Sequence, residues 1–211
     1  MNPHINRLLQ RCPQLAGCRS DVEKAFAMLL DCFRNGGKLL LCGNGGSAAD
    51  AEHWAGELLK AFGRERPLTQ SEKKGLPERL GLKLQGALPT IPLTGFESLS
   101  TAFANDVDPE LIFAQLVWGL GRQDDVLVGI STSGNARNVC AAMEAAEGRG
   151  VHRIGLTGRT GGRLNLLCDL CIKVPADETY LVQELHLPIY HCLSLMLEDE
   201  LFATEKNESS I

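Results

Sequence analysis

The sequence predicts an α/β fold in which helices cover both faces of a central parallel sheet, a three-layer α/β/α sandwich. Short, continuous apolar runs, typical of strands buried on both faces, alternate along the chain with segments of helical spacing. Parallel strands need helical crossovers, so this alternation favours a parallel sheet over an antiparallel one. The length of 211 residues is that of one domain.

Two stretches in which a strand is followed by a helix define the predicted sheet. A helix over 22–33, with apolar side chains every three or four residues, ends at Asn-Gly-Gly; a strand over 38–42 and a helix over 48–62 follow. Farther along, a strand over 125–130 precedes an alanine-rich helix over 136–149. A polar turn follows each strand, at the carboxyl end where open parallel sheets bind their ligands.

The C-terminal part of the chain is predicted to add two short strands, over 153–156 and 170–174, and a long helix over 180–202. Pro188 is expected to kink this helix, because proline removes one backbone donor and clashes with the carbonyl four residues before it. The polar tail 203–211 is expected to fray.

The segment 64–89 has a different composition, with several prolines, glycines and charges. It predicts a long loop with one short helical piece near 77–84. A loop of this length in a compact domain is usually functional or mobile. Because it directly follows the helix over 48–62, we expect it to border a site on that helix as a lid or as a subunit contact.

Charge and composition exclude several classes of function. With 21 Lys+Arg against 26 Asp+Glu, the net charge of −5 lacks the overall positive charge that attracts nucleic acid or anionic lipid. No apolar run approaches ~18 residues and no basic start leads into an apolar region, so neither a membrane span nor a secretory signal is predicted. We expect a cytoplasmic protein without nucleic-acid or membrane partners.

Eight cysteines leave disulfides, metal or small apolar packing as alternatives. Cys168 and Cys171 are the only close pair, and a single CxxC is a weak zinc signal. Alternating burial in the strand over 170–174 is the simpler interpretation. We expect reduced, mostly buried thiols.

Both polar turns have the composition of phosphate-binding loops. Gly43-Asn44-Gly45-Gly46-Ser47 opens a helix, where glycines and the helix N-terminus suit an anion, although an ordinary turn is an alternative. It matches neither the dinucleotide nor the Walker pattern. Ser131-Thr132-Ser133-Gly134-Asn135 offers three hydroxyls where an N-cap needs one. Neutral donors suit a small phosphomonoester.

These two turns resemble the signatures of the sugar isomerase (SIS) domain, and among its members most closely those of the phosphoheptose isomerases. The resemblance covers residues from about Val22 to Leu201 and is interrupted by an insertion over 67–89. It implies one SIS domain over 1–211 with its core over 22–202, a flavodoxin-like sheet, and a homotetramer in which the N-terminal helix and the long C-terminal helix take part in subunit packing.

His53 and Glu57 lie one turn apart on the helix over 48–62. Taken alone, a surface pair is the simpler interpretation. The resemblance instead implies that His53, Glu57, Gln183 and His191 hold one zinc ion per subunit and form the catalytic site. Gln183 and His191 are eight residues apart, roughly 12 Å along a straight helix. Either the Pro188 kink reshapes the helix or the ligands come from two subunits; we favour a site at a subunit interface.

The implied reaction is an aldose–ketose isomerisation of D-sedoheptulose 7-phosphate to D-glycero-D-manno-heptose 7-phosphate, feeding nucleotide-activated heptose biosynthesis such as that of lipopolysaccharide precursors. Glu57 is the candidate base, His191 the candidate proton carrier, and zinc the Lewis acid. Because a zinc-bound carboxylate is a poorer base, we expect Glu57 to leave the metal when substrate binds.

The resemblance also implies a set of substrate-binding residues: Asn44, Gly45, Gly46, Ser47, Asn105, Asp106, Ser131, Thr132, Ser133 and Gln183. Two positions depart from the family pattern, Ala136 where a serine is common and Tyr180 where some members have an aspartate, which puts substrate details in doubt. His186 is expected to be a packed histidine or one that supports a metal ligand. His4 and His152 have no partners nearby in the sequence and are expected to be surface residues.

Two alternatives stay open at this point. One is a non-catalytic SIS protein resembling the replication-initiator-associating members, and the other is an isomerase of a different sugar phosphate. The presence of all four candidate ligands favours the enzyme.

Overall fold

The computed structural model describes residues 2–202, whose centre is a five-stranded parallel sheet with the order β2-β1-β3-β4-β5. The strands are β1 Leu39–Gly43, β2 Thr90–Pro92, β3 Val126–Ser131, β4 His152–Thr157 and β5 Leu170–Lys173. Because β1 pairs with β2 on one side and β3 on the other, the strand order reverses beside β1. The crevice at the carboxyl ends of β1 and β3 is therefore the expected ligand site.

The predicted α/β class and parallel sheet are confirmed, and the four predicted strands match β1, β3, β4 and β5 within one residue at each end. β2 was not predicted. It has only three residues, Thr-Ile-Pro, and its proline is tolerated because β2 is an edge strand.

Ten α-helices surround the sheet within the described residues. They are α1 Pro3–Arg11, α2 Arg19–Arg34, α3 Gly46–Leu59, α4 Gln70–Lys73, α5 Glu78–Gly81, α6 Glu97–Asp106, α7 Ile112–Leu120, α8 Arg137–Gly148, α9 Leu164–Leu167 and α10 Thr179–Leu201. Short 3₁₀ segments cover 13–18, 93–95 and 109–111. α10 continues as one helix through Pro188. No helix among residues 2–202 is long and apolar enough to cross a membrane.

Two apolar layers lie on opposite faces of the sheet, because alternate strand residues point to opposite sides. Leu39 and Leu41 of β1 pack with residues of α1, α2, α3 and α10. Leu40 and Cys42 pack in the second layer, which includes residues of α7 and α8. Side chains from successive positions of one strand thus supply both cores.

α3 and α10 lie side by side and run in the same direction. At their N-terminal ends, a Cβ on Gly46 would lie 2.5 Å from the Gln183 Nε2 atom, so glycine permits this close approach. Just beyond the end of α3, a Cβ on Gly63 would lie 2.5 Å from Leu195. The two helices are therefore in contact along the whole of α3, and the candidate site residues of both helices lie along this contact.

The segment 64–89 contains two short helices. α5 confirms the predicted helical piece, whereas α4 was not predicted, although Thr69 and Glu72 form a capping box that the sequence Thr-Gln-Ser-Glu signals. A bridge between Pro67 and Gln85, and a 2.8 Å hydrogen bond from the Gly86 amide to the Arg66 carbonyl, close its base.

All eight cysteines are free, and five of them are buried. His4 is partly buried, and its Nε2 atom lies 2.7 Å from an Asp199 carboxylate oxygen, a contact 195 residues away that no local pattern indicates. His152 is exposed on β4, as expected. The tail 203–211, predicted to fray, lies outside the described residues.

Candidate active site

A pocket of about 350 Å³ lies at the carboxyl ends of β1 and β3. Its lining is neutral throughout: Asn44, Gly45, Gly46, Ser47, Ile130, Ser131, Thr132, Ser133, Ala136, Thr179 and Gln183. Both predicted turns therefore meet in one cavity, together with the beginning of α10. Hydroxyls, amides and the N-terminus of α3 make it suited to an oxyanion such as a phosphate ester.

Backbone geometry explains the glycines of the two turns. Gly45 has φ of 55° immediately before α3. Gly134 has φ of 67°, and a Cβ there would lie only 2.0 Å from the Gly161 carbonyl oxygen. Both positions need the conformational freedom of glycine for the chain to turn from strand to helix.

An amide pair joins the first turn to α8. Asn44 and Asn138 exchange two side-chain hydrogen bonds, each 2.9 Å long. Asn138 was not predicted as a site residue. It follows the second turn closely, but nothing in its local sequence indicates its partner 94 residues away.

Farther along α3 and α10 is a cluster of His53, Glu57 and His191, in which one ligand atom of each residue lies within 4.8 Å of the others. The His53 Nε2 atom is 3.1 Å from Glu57 Oε1, and the two histidine rings are in edge contact at 5.1 Å between centroids. The structure thus brings together three of the four side chains for which the family resemblance implies metal binding.

Side chains outside the cluster hold His53 in its orientation. The Tyr190 hydroxyl lies 3.0 Å from His53 Nδ1 and donates to Asp50 Oδ1 at 3.2 Å. The Tyr190 ring stacks on Trp54 with centroids 5.5 Å apart. Burial raises the pKa of the Asp50 carboxyl, against the opposite effects of its bond to Tyr190 and of the nearby imidazole. Neither Asp50 nor Tyr190 was singled out from the sequence.

The donor atoms of the cluster fit a metal ion. Glu57 Oε2 and His191 Nε2 are buried and have no hydrogen-bond partner in the described part of the chain. Burial lowers the pKa of His191, and the adjacent His53 lowers it further. This favours the neutral imidazole, the form that binds metals. Two imidazoles and a carboxylate are a donor set that zinc accepts in catalytic sites.

Gln183 lies near the beginning of α10, away from the cluster of His53, Glu57 and His191. It lines the neutral pocket, eight residues and about 12 Å of helix before His191. Its predicted substrate contact fits this placement, and its role as a metal ligand stays a prediction. His186 between them is completely buried, in agreement with the expected packed histidine.

Asn105 and Asp106 do not join the pocket of their own chain. They are exposed at the end of α6, and the Asn105 amide donates to Asp106 Oδ1 at 2.8 Å. α6 has no buried residue. Their predicted contact with substrate stays a prediction.

Comparisons with known proteins find similar sequences and structures over most of the chain. Family models described as the SIS domain match residues 4–73 and 96–197. The chain is 39% identical over 181 residues to a phosphoheptose isomerase of Aneurinibacillus thermoaerophilus, covering 86% of this chain and 82% of the relative. It is 44% identical over 171 residues to that of Desulfovibrio desulfuricans, covering 81% and 72%.

Two solved structures share the fold over nearly the whole chain. The phosphoheptose isomerase GmhA from Neisseria gonorrhoeae has a TM-score of 0.71 and 35% identity, covering 92% of this chain and 93% of that one. A phosphoheptose isomerase from Francisella tularensis has a TM-score of 0.76 and 32% identity, covering 90% and 91%.

Proposed function

Because the chain belongs to the phosphoheptose isomerase family of SIS-domain proteins, we propose that it interconverts D-sedoheptulose 7-phosphate and D-glycero-D-manno-heptose 7-phosphate. The observation that carries this proposal is the presence of a neutral phosphate pocket and a His–Glu–His cluster on the same two helices. A protein that only bound partners through this scaffold would have no chemical need for the cluster.

The spacing of the two sites suits a seven-carbon substrate. Gly46 and His53 are seven residues apart on α3, which separates the pocket from the cluster by roughly 10 Å along the helix. An extended seven-carbon chain with its terminal phosphate ester spans about the same length, at ~1.3 Å of advance per bond. With the phosphate between the two turns, the first two carbons reach the cluster.

Glu57 is the proposed base. Its Oε1 faces His53, whereas Oε2, with Lys60 Nζ at 3.6 Å, has no hydrogen-bond partner in the described chain and is free to accept a proton. In the ketose-to-aldose direction, Oε2 takes the proton from carbon 1, the electron pair forms the carbon 1–carbon 2 double bond of an enediol, and the proton returns to carbon 2.

His191 moves the second proton. A neutral imidazole can take the proton of the carbon 1 hydroxyl as that oxygen becomes the aldehyde, and a protonated one can give a proton to the carbon 2 oxygen. His53, Glu57 and His191 would hold a zinc ion, which supplies Lewis-acid polarisation of the substrate carbonyl when bound. The ring of Phe62 packs on His191, with ring centroids 5.2 Å apart, and contacts this end of the site.

We further propose one zinc ion per subunit, a cytoplasmic location and a homotetramer with its sites at subunit interfaces. The exposed α6 supports the assembly, as do the exposed side chains of Val107 and Trp118 on the segment that follows it. Light scattering of the purified protein tests the tetramer; a monomer that is fully active would contradict it.

Replacing Glu57 by glutamine tests the mechanism. Glu57→Gln keeps the shape of the side chain and removes the base, so turnover of sedoheptulose 7-phosphate should fall by about 10²–10⁴-fold, the usual contribution of a positioned base. Binding of inorganic phosphate to the pocket should change less than twofold. Glu52→Gln, on the same helix with a hydrogen bond to Thr94, is the matched control.

Product analysis with and without a chelator separates the parts of the proposal. An active Glu57→Gln variant would refute the role of the base. Turnover of another sugar phosphate but not of sedoheptulose 7-phosphate would refute the substrate. Full activity after complete removal of metal would refute the zinc site.

A further inference from the structure

A buried ion pair lies directly beneath the end of α3. Arg66 Nε donates to Glu198 Oε1 at 2.7 Å, and both side chains are at most 1% exposed. The guanidinium carbon also lies 4.6 Å from the centroid of the Phe202 ring. Two charges this deeply buried need hydrogen-bond partners for their polar atoms, and both Arg66 and Glu198 have several.

Arg66 also donates two hydrogen bonds to α3, the helix that bears Glu57. Its Nη1 atom donates to the Leu58 carbonyl at 2.8 Å and its Nη2 atom to the Glu57 carbonyl at 3.2 Å. These belong to the last carbonyls of α3, which have no partner within the helix. Arg66 therefore caps the final turn of α3, in which Glu57 lies, and it is the side-chain partner of the Glu57 carbonyl; the Leu58 carbonyl also accepts the Leu88 amide at 3.0 Å.

Glu198 fixes the chain segment that follows α3. Its two oxygens accept the backbone amides of Phe62 at 2.9 Å, Gly63 at 2.6 Å and Arg64 at 3.0 Å. Holding the Phe62 backbone keeps its ring in contact with His191, which lies two turns before Glu198 on α10.

We propose that Arg66 and Glu198 are positioning residues of the catalytic site: the pair fixes the last turn of α3 and the ring of Phe62, and thereby sets Glu57 against His191. This inference rests on the proposed function in so far as Glu57 and His191 act in the reaction. Neither positioning residue lines the neutral pocket. The pair therefore acts on the reacting end of the substrate and not on its phosphate.

Arg66→Lys is the discriminating variant. Lysine keeps the charge that pairs with Glu198, but its single ammonium group cannot reproduce the planar fork that reaches Glu198 and two carbonyls together. Arg64→Lys is the matched control, because Arg64 belongs to the same segment and pairs with Asp199 on α10 without touching α3. A one-ångström misplacement of a reacting group can cost about 10²-fold in rate.

The expected result has two parts. In Arg66→Lys, kcat should fall about ten- to a hundredfold with KM changed less than twofold, and amide hydrogen exchange over residues 57–64 should speed up at least tenfold while that of the first turn of α3 stays unchanged. Arg64→Lys should match the wild type in both. Exchange requires no substrate, so it tests the proposal even if the enzyme acts on another sugar.

Three outcomes would overturn the proposal. One is a folded Arg66→Lys variant with wild-type kcat and exchange; another is a loss that falls on KM and on binding of inorganic phosphate. The third needs no variant: it is exchange of the wild-type amides of residues 62–64 as fast as that of the largely exposed residues 70–85, where we expect them to exchange far more slowly. If Arg66→Lys does not fold, this wild-type comparison together with Glu198→Gln decides the question.

Discussion

Tyr190→Phe removes one oxygen atom and leaves the packing of the cluster intact. The hydroxyl joins His53 Nδ1 at 3.0 Å to Asp50 Oδ1 at 3.2 Å, while the ring stacks on Trp54. Phenylalanine preserves the ring, so no cavity forms. The lost hydrogen bonds should lower the free energy of unfolding by about 1–3 kcal/mol, because Asp50 keeps a partly buried carboxylate without its donor.

The effect on metal binding follows from the same contact. When the Tyr190 hydroxyl donates to Asp50, it accepts from His53 Nδ1, which leaves Nε2 as the ligand atom facing Glu57. Loss of such an outer contact typically weakens metal affinity 10–100-fold, about 1.4–2.7 kcal/mol. Tyr180→Phe is the matched control, because Tyr180 is exposed on the same helix.

Competition between the protein and a chromophoric chelator for Zn²⁺ measures this affinity, and urea denaturation measures stability in parallel. The reasoning is refuted if Tyr190→Phe binds Zn²⁺ within twofold of the wild type while showing the expected loss of stability. In that case the hydroxyl would serve only the fold.

Three further predictions concern the rest of the molecule. Gly46→Ala should raise KM about tenfold with little loss of stability, because its Cβ displaces the Gln183 amide; Gly56→Ala, whose Cβ meets no atom within 4 Å, is the control in steady-state kinetics. Asn138→Ala should raise KM severalfold at constant kcat, since the turn at Asn44 loses two hydrogen bonds worth about 1 kcal/mol each. Burial lowers the pKa of His186 to about 4, so between pH 6.5 and 4 only the unfolded chain takes up this proton. Between pH 7 and 5 the wild type should therefore lose about 2 kcal/mol more stability than His186→Leu in urea titrations, and equal losses would contradict the assignment.

The fold was largely predictable because its strands are buried on both faces. β1 and β3 appear in the sequence as uninterrupted apolar runs, and each is followed by turn residues and a helix. β2 carries no such signal, since three residues ending in proline do not form a pattern. α7 was missed for a related reason: an apolar segment of nine residues has no polar face from which a helical period can be read.

The site was predictable where chemistry and spacing coincide in a local stretch. The two turns show their glycines and hydroxyls directly. His53 and Glu57 are one turn apart, but that spacing alone indicates a surface pair, and only the resemblance carried by the two turns implied a metal site. The supporting residues are different, because their partners are remote in the chain. Arg66 and Glu198 are 132 residues apart, and each alone is an ordinary charged residue in a segment of charged residues.

The neutral lining of the phosphate pocket has a consequence for the choice among metabolites. With no fixed cation in the pocket, phosphate binding depends on short-range donors and should change little with ionic strength, in contrast to sites built from lysine or arginine. Such a pocket recognises a terminal phosphomonoester and cannot tell which molecule carries it. Discrimination among sugar phosphates would then rest on the groups that meet the rest of the substrate, among them the proposed base Glu57 and the predicted contacts Asn105 and Asp106.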